Sequence, residues 1–344
     1  MSAEPGEQRQ GGAPAGDPGD IRRVCVIGAG AIGSLLAGHL SRVCEVWVLT
    51  RRSQHADRLN REGLTVSGKS DLHARVRATS EPWELPDFDL GIVATKATDL
   101  ESVAGRLEGI ATRAAMMTIQ NGLGAEEVLA RHGDWPLISA VTFMSGNRHS
   151  DVHVEYELDT ATWLGPWAAT ATPTGIVTRV AERINASGLR AEWLPDLVPA
   201  QWSKLIFNSA VNCVSALTEL PHVAKFADEE GCGALGHVVR ALVDEGKAVA
   251  AAAGIELYED PWEMNRLAVA RGETASSDYA HLPSMLEDVL ARRRTEVDFI
   301  AGAIVREAGK HDVQVPVTAT AYRLIKAKEA SWHLNGAPAQ EVKA

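Results

Sequence analysis

Short apolar segments alternate with helix-like segments through the first half of the chain. The strand-like segments cover residues 24–27, 45–49, 90–94 and 116–119, and each is followed by a turn and then a plausible helix. This β/α alternation predicts a mainly parallel sheet covered by helices on both faces. Between residues 137 and 164 apolar and polar residues alternate, which predicts antiparallel strands that close the sheet.

Beyond about residue 195 the strand pattern gives way to long segments rich in Ala, Leu and Glu. The helices predicted there cover residues 198–220, 234–253, 284–308 and 318–329. Prolines stand where these helices are expected to begin or end. We therefore predict an α/β fold with an N-terminal Rossmann-type dinucleotide-binding domain and an all-helical C-terminal domain. The expected divisions are a disordered leader over 1–20, the two domains over 21–195 and 196–335, and a tail over 336–344.

Composition narrows the class of function. The chain has 344 residues, 45% hydrophobic and 23% charged, which is ordinary for a globular protein of two domains. Its net charge of −11 argues against nucleic-acid binding, because proteins that bind nucleic acids carry clustered Lys and Arg that contact the phosphates. No apolar run is long enough to predict a membrane span, and the leader lacks the apolar stretch of a secretory signal.

The four cysteines form no C-x-x-C pair, and the eleven histidines are scattered along the chain. We therefore expect reduced thiols, no metal and a cytoplasmic location. The oligomeric state is left open between monomer and homodimer.

A glycine-rich motif of the form G-x-G-x-x-G follows the first predicted strand and opens a helix. It consists of Gly28, Ala29, Gly30, Ala31, Ile32 and Gly33. In such a motif the first glycine permits a tight turn, the second lets the backbone approach a pyrophosphate, and the third allows close helix–strand packing. Free N–H groups at the helix start then face the phosphates. The alternative is a purely structural turn.

The residues that end the next strands add to this prediction. Arg51 follows the second strand. At this position an NAD enzyme usually carries Asp or Glu, which binds the ribose 2′-hydroxyl. The planar guanidinium of an arginine instead suits the 2′-phosphate of NADPH. The pattern therefore favours NADPH, although a solvated loop remains the alternative. Lys96 and Asn121 end later strands at the edge where ligands of such sheets bind, and a surface lysine and a turn asparagine are the alternatives there.

Polar residues recur at four-residue spacing in an otherwise apolar helix of the second half. Lys204, Asn208 and Asn212 occupy an arc of about 80° on one face. Their desolvation is costly without partners, and a substrate carboxylate and keto oxygen are suitable partners. A lysine there can also protonate a carbonyl oxygen. An ordinary polar stripe is the alternative.

A second polar cluster begins at Ser284. A single helix from this residue is expected to place Ser284, Asp288 and Thr295 on one stripe, with Glu296 beside it. Ser284 could equally serve as a helix cap and Glu296 as an exposed partner of an arginine. Spacing alone leaves both open.

Taken together, these motifs resemble the ketopantoate reductase (2-dehydropantoate 2-reductase) family over residues 22–329. The resemblance is carried in chain order by Gly28–Gly33, Thr95-Lys96-Ala97, Asn121-Gly122-Leu123-Gly124, Trp202-Ser203-Lys204-Leu205 with Asn208 and Asn212, and Pro283-Ser284-Met285-Leu286 with Asp288, Thr295, Glu296 and Asp298. The Lys204 helix and the segment from Ser284 to Glu296 are the most diagnostic parts.

The resemblance implies NADPH-dependent reduction of 2-dehydropantoate to pantoate in a cleft between the domains. It implies that Lys204 protonates the keto oxygen and that Glu296 orients this lysine. It assigns substrate binding to Asn208, Asn212 and Ser284, with Asn121 where cofactor and substrate meet. Arg51 and Lys96 would serve the adenosine phosphate end of the cofactor.

Some positions depart from the family pattern. His281 stands where an asparagine that helps to bind substrate can occur, and Glu155 and its neighbours are more acidic than is usual. These departures motivate an alternative, a related reductase of another branched 2-oxo acid or imine. A non-catalytic NADPH-binding sensor is a further alternative from a different class, against which Lys204 and Glu296 argue.

Overall fold

A computed structural model of the protein describes residues 20–228, 233–274 and 282–334. The predicted leader and tail and His281 therefore lie outside the described residues, apart from residue 20. The strands are β1 Arg23–Ile27, β2 Glu45–Leu49, β3 Leu64–Gly68, β4 Leu72–Ala74, β5 Arg77–Thr79, β6 Leu90–Val93, β7 Ala115–Thr118, β8 Leu137–Thr142, β9 Ser145–Ser150, β10 His153–Leu158, β11 Thr162–Pro166 and β12 Ala191–Trp193. The helices of this half are α1 Ala31–Leu40, α2 Ser53–Glu62, α3 Leu100–Leu107, α4 Ala125–Ala130 and α5 Thr174–Ala186.

The main sheet has eight strands in the order β12-β11-β8-β7-β6-β1-β2-β5. The strands from β5 to β8 run parallel, whereas β11 is antiparallel to β8. Their spatial order reverses between β1 and β6, which is the position where Rossmann-type sheets bind ligands at the carboxyl ends of the strands. Apolar residues on both faces of the sheet are buried under helices. The predicted α/β class is confirmed.

The antiparallel region only partly follows the prediction. β11 closes the main sheet, but the hairpin β9–β10 does not join it. Instead β10 pairs in parallel with β3, giving a second sheet in the order β4-β3-β10-β9. Val154 and Tyr156 are buried against the core that includes α1, so the alternation of apolar residues was interpreted correctly but assigned to the wrong sheet.

The second half is helical, as predicted. Its helices are α6 Val198–Thr218, α7 Ala234–Ala252, α8 Pro261–Thr274, α9 Ser284–Leu290, α10 Ala301–Lys310 and α11 Pro316–Leu334. They enclose a separate apolar core around Ile206, Leu242 and Ile304. Helix α8 was not predicted. No helix in the described part of the chain is both long and apolar enough to cross a membrane.

The predicted single helix over 284–308 is wrong. The backbone leaves the helix after Leu290, Arg292 adopts a left-handed φ of 50°, and α10 begins only at Ala301. Thr295 lies in the intervening segment, where its N–H and hydroxyl both donate to the Glu329 carboxylate of α11 at 2.7 Å. Ser284, Asp288 and Thr295 therefore do not form a helical stripe, because tertiary contacts redirect the chain between them.

Candidate active site

The glycine-rich turn between β1 and α1 has the geometry that its sequence predicts. Gly28 has a φ of 101°, and a Cβ there would lie 2.9 Å from the Thr95 nitrogen. A Cβ on Gly33 would lie 2.0 Å from the Gly28 carbonyl oxygen, so this position demands close packing. A Cβ on Gly30 would meet nothing within 4 Å, so space remains beside the start of α1. A dinucleotide pyrophosphate fits such a cradle.

Two buried polar atoms next to this turn lack partners. Thr95 ends β6 and Gln120 follows β7, and the Thr95 hydroxyl and the Gln120 side-chain oxygen have no hydrogen-bond partner among the described residues. The Gln120 amide nitrogen donates to the carbonyl oxygens of Val93 and Thr95, which fixes the orientation of its side chain. Unsatisfied buried polar atoms are rare in folded proteins and call for an explanation. A bound polar cofactor would supply one.

The two predicted cations of the cofactor site have different surroundings. The Arg51 side chain is 83% exposed, with its guanidinium 3.9 Å from the Asp99 carboxylate. The Lys96 amine instead hydrogen-bonds to the buried carboxylate of Asp288, which also pairs with Arg293 at 3.1 Å. Arg51 is thus free to meet a phosphate, whereas Lys96 joins the two halves of the molecule.

Lys204 lies on α6 and points toward the carboxyl edge of the main sheet. Its amine donates to the carbonyl oxygen of Thr142, the last residue of β8, at 2.5 Å and lies 5.3 Å from the centre of the Phe143 ring. Burial lowers the pKa of the Lys204 amine to about 8, against a weaker upward effect of the Glu296 carboxylate. A lysine in this state can give up a proton near neutral pH.

Asn121 connects α6 to Glu296. Its side-chain oxygen accepts a hydrogen bond from the Asn208 amide at 3.4 Å, and its side chain also bonds to the Glu296 carboxylate. Glu296 accepts a second bond at 2.9 Å from the backbone N–H of Ala97, just after β6. Burial raises the pKa of Glu296, and the bonds from Ala97 and Asn121 oppose this rise. A connected polar network therefore spans both halves of the molecule.

The remaining two residues predicted to bind substrate, Asn212 and Ser284, differ in their solvent exposure. Asn212 is only 5% exposed, yet its side chain makes no hydrogen bond with any residue that the structure describes. Unlike the Thr95 hydroxyl, its amide atoms are not completely buried, so a ligand can reach them. Ser284 begins α9 and is exposed, without a side-chain hydrogen bond to the described residues. The structure thus brings Lys204, Asn208, Asn121 and Glu296 into one cluster and leaves Ser284 at the surface.

Several residues at this site were not predicted from the sequence. Thr142 supplies a backbone oxygen, which any residue type could supply, so no sequence signal marks it. Phe143 contributes the face of its ring, and Ala97 contributes its backbone N–H. Gln120 precedes the Asn121 motif, and its position at a strand end was the one signal that could have identified it.

The arrangement combines the elements needed to reduce a carbonyl group. A glycine-rich turn with the geometry that suits a pyrophosphate lies at the end of β1, and a buried amine with a lowered pKa lies at the end of β8. Amides able to bind a carboxylate flank that amine on α6. Within the described residues, no group of three or more His, Cys, Asp or Glu side chains could hold a metal ion.

Comparisons with known proteins give consistent findings. Residues 24–169 match the profile described as "Ketopantoate reductase PanE/ApbA", and residues 196–329 match that of its C-terminal part. The 2-dehydropantoate 2-reductase of Archaeoglobus fulgidus is 30% identical over 90% of this chain and 99% of its own. That of Halobacterium salinarum is 31% identical over 88% and 98%.

Solved structures show the same fold. A PanE/ApbA family ketopantoate reductase from Ralstonia eutropha superposes with a TM-score of 0.77 at 27% identity, over 90% of this chain and 99% of its own. D-mandelate dehydrogenase, solved with NADH and anilino(oxo)acetate, superposes with a TM-score of 0.78 at 22% identity, over 90% and 99%. At that identity the second likeness concerns the fold alone.

Proposed function

Because the chain belongs to the ketopantoate reductase family of dinucleotide-dependent oxidoreductases, we propose that it reduces 2-dehydropantoate to pantoate with NADPH and that Lys204 donates the proton. The observation that carries this proposal is the buried Lys204 amine, whose pKa is lowered to about 8 at the carboxyl edge of the sheet. When bound, the reduced nicotinamide supplies the hydride. The protein's own residues supply the proton and the orientation of the substrate.

Lys204 performs the acid step in this proposal. Its ammonium donates a proton to the keto oxygen as negative charge develops there, and the lowered pKa makes this transfer easier than for a solvated lysine. The Thr142 carbonyl oxygen fixes the direction of the amine. The Glu296 carboxylate favours the charged form of the amine before reaction, while its bonds to Ala97 and Asn121 hold it in place.

The amides of α6 position the substrate. Asn208 and Asn212 lie one and two turns after Lys204 on the same face, and both are buried. The unpartnered amide of Asn212 suits the substrate carboxylate, because an amide N–H donates to an anion without bringing another full charge into a buried site. Ser284, exposed at the start of α9, belongs to the same helical half, and its part in substrate binding stays a prediction.

The proposed preference for NADPH depends on Arg51. It extends into solvent just beyond β2, on the side of β1 where Rossmann-type sheets bind the adenosine ribose. No acidic side chain stands directly after β2, where the ribose hydroxyls of NADH are usually bound. A guanidinium at this position stabilises a 2′-phosphate through charge-assisted hydrogen bonds.

The test is an assay of dinucleotide oxidation with 2-dehydropantoate, run with NADPH and with NADH. We expect turnover with NADPH, and a kcat at least about 100-fold lower in Lys204→Ala with NADPH binding retained. Lys310→Ala, which changes an exposed lysine of α10, is the control and should match the wild type. NADPH binding without turnover would favour a sensor, and equal use of NADH would contradict the role of Arg51.

A further inference from the structure

Thr295 and Asp298 lie on either side of Glu296 in the chain, and the function proposed above gives neither of them a role. Both belong to residues 291–300, which join α9 to α10 and which we call the Glu296 segment. Thr295 directly precedes Glu296 and is only 1% exposed. Buried polar groups need hydrogen-bond partners, and the partners of both side chains come from α11.

The Glu329 carboxylate of α11 holds the chain directly before Glu296. One Glu329 oxygen accepts hydrogen bonds from the backbone N–H and from the hydroxyl of Thr295, both at 2.7 Å. The Thr295 hydroxyl in turn accepts a bond at 3.3 Å from the backbone N–H of Val297. Glu329 is buried, and hydrogen bonds to an ionised group are stronger than those between neutral groups. The backbone before and after Glu296 is therefore tied to one carboxylate.

A second set of contacts from α11 holds Asp298. The Tyr322 hydroxyl donates to one Asp298 oxygen at 2.7 Å, and the Lys326 amine donates to the other at 2.8 Å. Lys326 also lies 3.2 Å from the Glu329 carboxylate, so it links the two acidic side chains. Tyr322, Lys326 and Glu329 follow one another at spacings of four and three residues and thus share one face of α11. We call these three residues the α11 clamp.

The place of Glu296 matters because its carboxylate contacts the other half of the molecule. It accepts a bond at 2.9 Å from the backbone N–H of Ala97 and bonds to the side chain of Asn121. These contacts form only if the Glu296 segment presents the carboxylate at the right place. The helix α11 packs against α6, which carries Lys204, so the clamp and the lysine belong to the same packed unit.

From this geometry we propose that Glu329, together with Tyr322 and Lys326, is a positioning residue of the reductase: the α11 clamp holds the Glu296 carboxylate where it orients Lys204. The inference rests on the proposed function, because it uses the roles given there to Lys204 and Glu296. Glu329 acts through Glu296 and not on the substrate or the dinucleotide. It adds no step in which a bond is made or broken.

The expected consequence of losing the clamp is electrostatic. Burial lowers the pKa of Lys204, and the Glu296 carboxylate opposes this effect over a distance that the clamp fixes. Three other charged groups surround the pair: Lys96 and Asp288 act on Glu296, and Glu126 of α4 lines the cavity beside Lys204. None of these three bonds to the clamp within the described residues. A Glu296 carboxylate released from its place should therefore leave Lys204 with a lower pKa.

The first experiment replaces Glu329 in the full-length protein and measures reduction of 2-dehydropantoate by NADPH between pH 6 and 10. Glu329→Ala should lower kcat by about 10–100-fold, because misplacing a catalytic group by about 1 Å can cost about 100-fold. It should also move the fall of kcat/KM to lower pH. Glu329→Gln retains an oxygen that can accept both Thr295 bonds, so its kcat should stay within about threefold of the wild type. Glu263→Ala removes an exposed ion pair with Arg266 on α8 and is the matched control, with an unchanged profile.

A double-mutant cycle distinguishes positioning from a general loss of stability. If Glu329 acts through Glu296, adding Glu329→Ala to Glu296→Gln should lower kcat by less than about twofold. A purely structural loss would lower kcat by the same factor in both backgrounds. Tyr322→Phe removes only the hydroxyl that binds Asp298, so it replaces Glu329→Ala if that variant does not fold. It should lower kcat by a smaller factor and move the profile in the same direction.

The state of Lys204 can also be measured without turnover. In protein labelled with 13C at the lysine ε-carbons, the Lys204 signal is assigned by its loss in Lys204→Arg, and its shift with pH reports the charge on the amine. This signal should titrate at lower pH in Glu329→Ala than in the wild type. In Glu263→Ala it should titrate at the wild-type pH.

The outcomes separate this inference from the proposed function. Turnover of 2-dehydropantoate by the wild type, with an unchanged Lys204 titration in Glu329→Ala, overturns the inference and leaves the function intact. Equal losses of kcat in both backgrounds of the cycle also overturn it. A lower Lys204 titration in Glu329→Ala without any turnover by the wild type supports the positioning of Glu296 and overturns 2-dehydropantoate as substrate.

Discussion

At the scale of single residues, the proposed proton transfer depends on how two ionisable groups are buried. Lys204 and Glu296 each have a pKa displaced toward the neutral form, because water is largely excluded from both. Their mutual attraction only partly offsets this cost for the lysine. A proton on Lys204 is therefore held less firmly than on a surface lysine, which suits a donor.

The pH dependence of reduction follows from this displaced pKa. Lys204 must be protonated to act as the acid, so kcat/KM should be constant below a pH of about 8 and fall above it. Because Glu296 raises the pKa of Lys204, Glu296→Gln should move the fall to lower pH. Both are measured as profiles of kcat/KM between pH 6 and 10. A wild-type profile that does not decline over this range would contradict the assigned donor.

Sequence patterns identified the polar residues of α6 but not their environment. The four-residue spacing of Lys204, Asn208 and Asn212 predicted one shared face, and all three do lie on one side of α6. The carbonyl oxygen of Thr142 and the ring of Phe143 come from β8 and its end, more than 60 residues earlier. Periodicity reports which residues share a face, and it contains no information about what packs against that face.

At the scale of elements, the break between α9 and α10 determines where Glu296 lies. As one continuous helix the segment would carry Glu296 slightly more than two turns past Asp288. The turn at Arg292 and the bonds from Thr295 to Glu329 instead bring the Glu296 carboxylate to the backbone of Ala97. Neither proline nor glycine stands at the break, so local propensity gave no reason to predict it.

The loop after β7 presents a second case in which local backbone conformation matters. Gly122 has a φ of 97°, and a Cβ there would lie 2.1 Å from the Phe299 carbonyl oxygen. This close approach lets the Leu123 N–H donate to that oxygen at 3.0 Å. Since Asn121 precedes Gly122, the conformation of this loop also positions the amide that holds Glu296.

Gly122→Ala should therefore destabilise the protein. The left-handed φ alone costs an alanine about 1–2 kcal/mol, and the clash with Phe299 adds to this. We expect the free energy of unfolding in urea to fall by at least about 2 kcal/mol, together with a lower kcat. Gly309→Ala is the matched control, because a Cβ there meets nothing within 4 Å inside α10, and it should be neutral or slightly stabilising. Equal effects of the two substitutions would refute this account.

At the scale of the whole molecule, the contact between the two halves and the candidate site occupy the same place. Three of the contacts between the helical half and the strand ends join Asp288 to Lys96, Glu296 to the Ala97 N–H, and the Phe299 carbonyl oxygen to the Leu123 N–H. All of them meet the loops after β6 and β7. The large apolar cores of the two halves are separate, and these polar contacts join the halves beside a small apolar cluster of Val141, Leu197 and Ala200.

The contact between Asp288 and Lys96 can be tested by removing the charge of Asp288. Asp288 is 2% exposed and pairs with both Lys96 and Arg293. Asp288→Asn should lower the free energy of unfolding by about 1–3 kcal/mol, because hydrogen bonds to a charged group are lost while the cations remain. Asp244→Asn, which removes an exposed helical ion pair with Arg240, should change it by less than about 0.5 kcal/mol. Similar urea midpoints for the two variants would contradict this role.

By itself the sequence determined the α/β half and the helical half of the fold, the glycine-rich turn after β1 and the lysine-bearing face of α6. Each of these depends on local order: alternation of strands and helices, glycines at fixed spacing, and a polar residue every fourth position. Only the tertiary structure decided that Glu296 bonds to Ala97, that Lys96 bonds to Asp288, and that the rings of Phe143 and Phe207 meet beside the Lys204 amine. Those contacts join residues from about 60 to 200 positions apart, and packing brings such residues together without leaving any pattern in the local sequence.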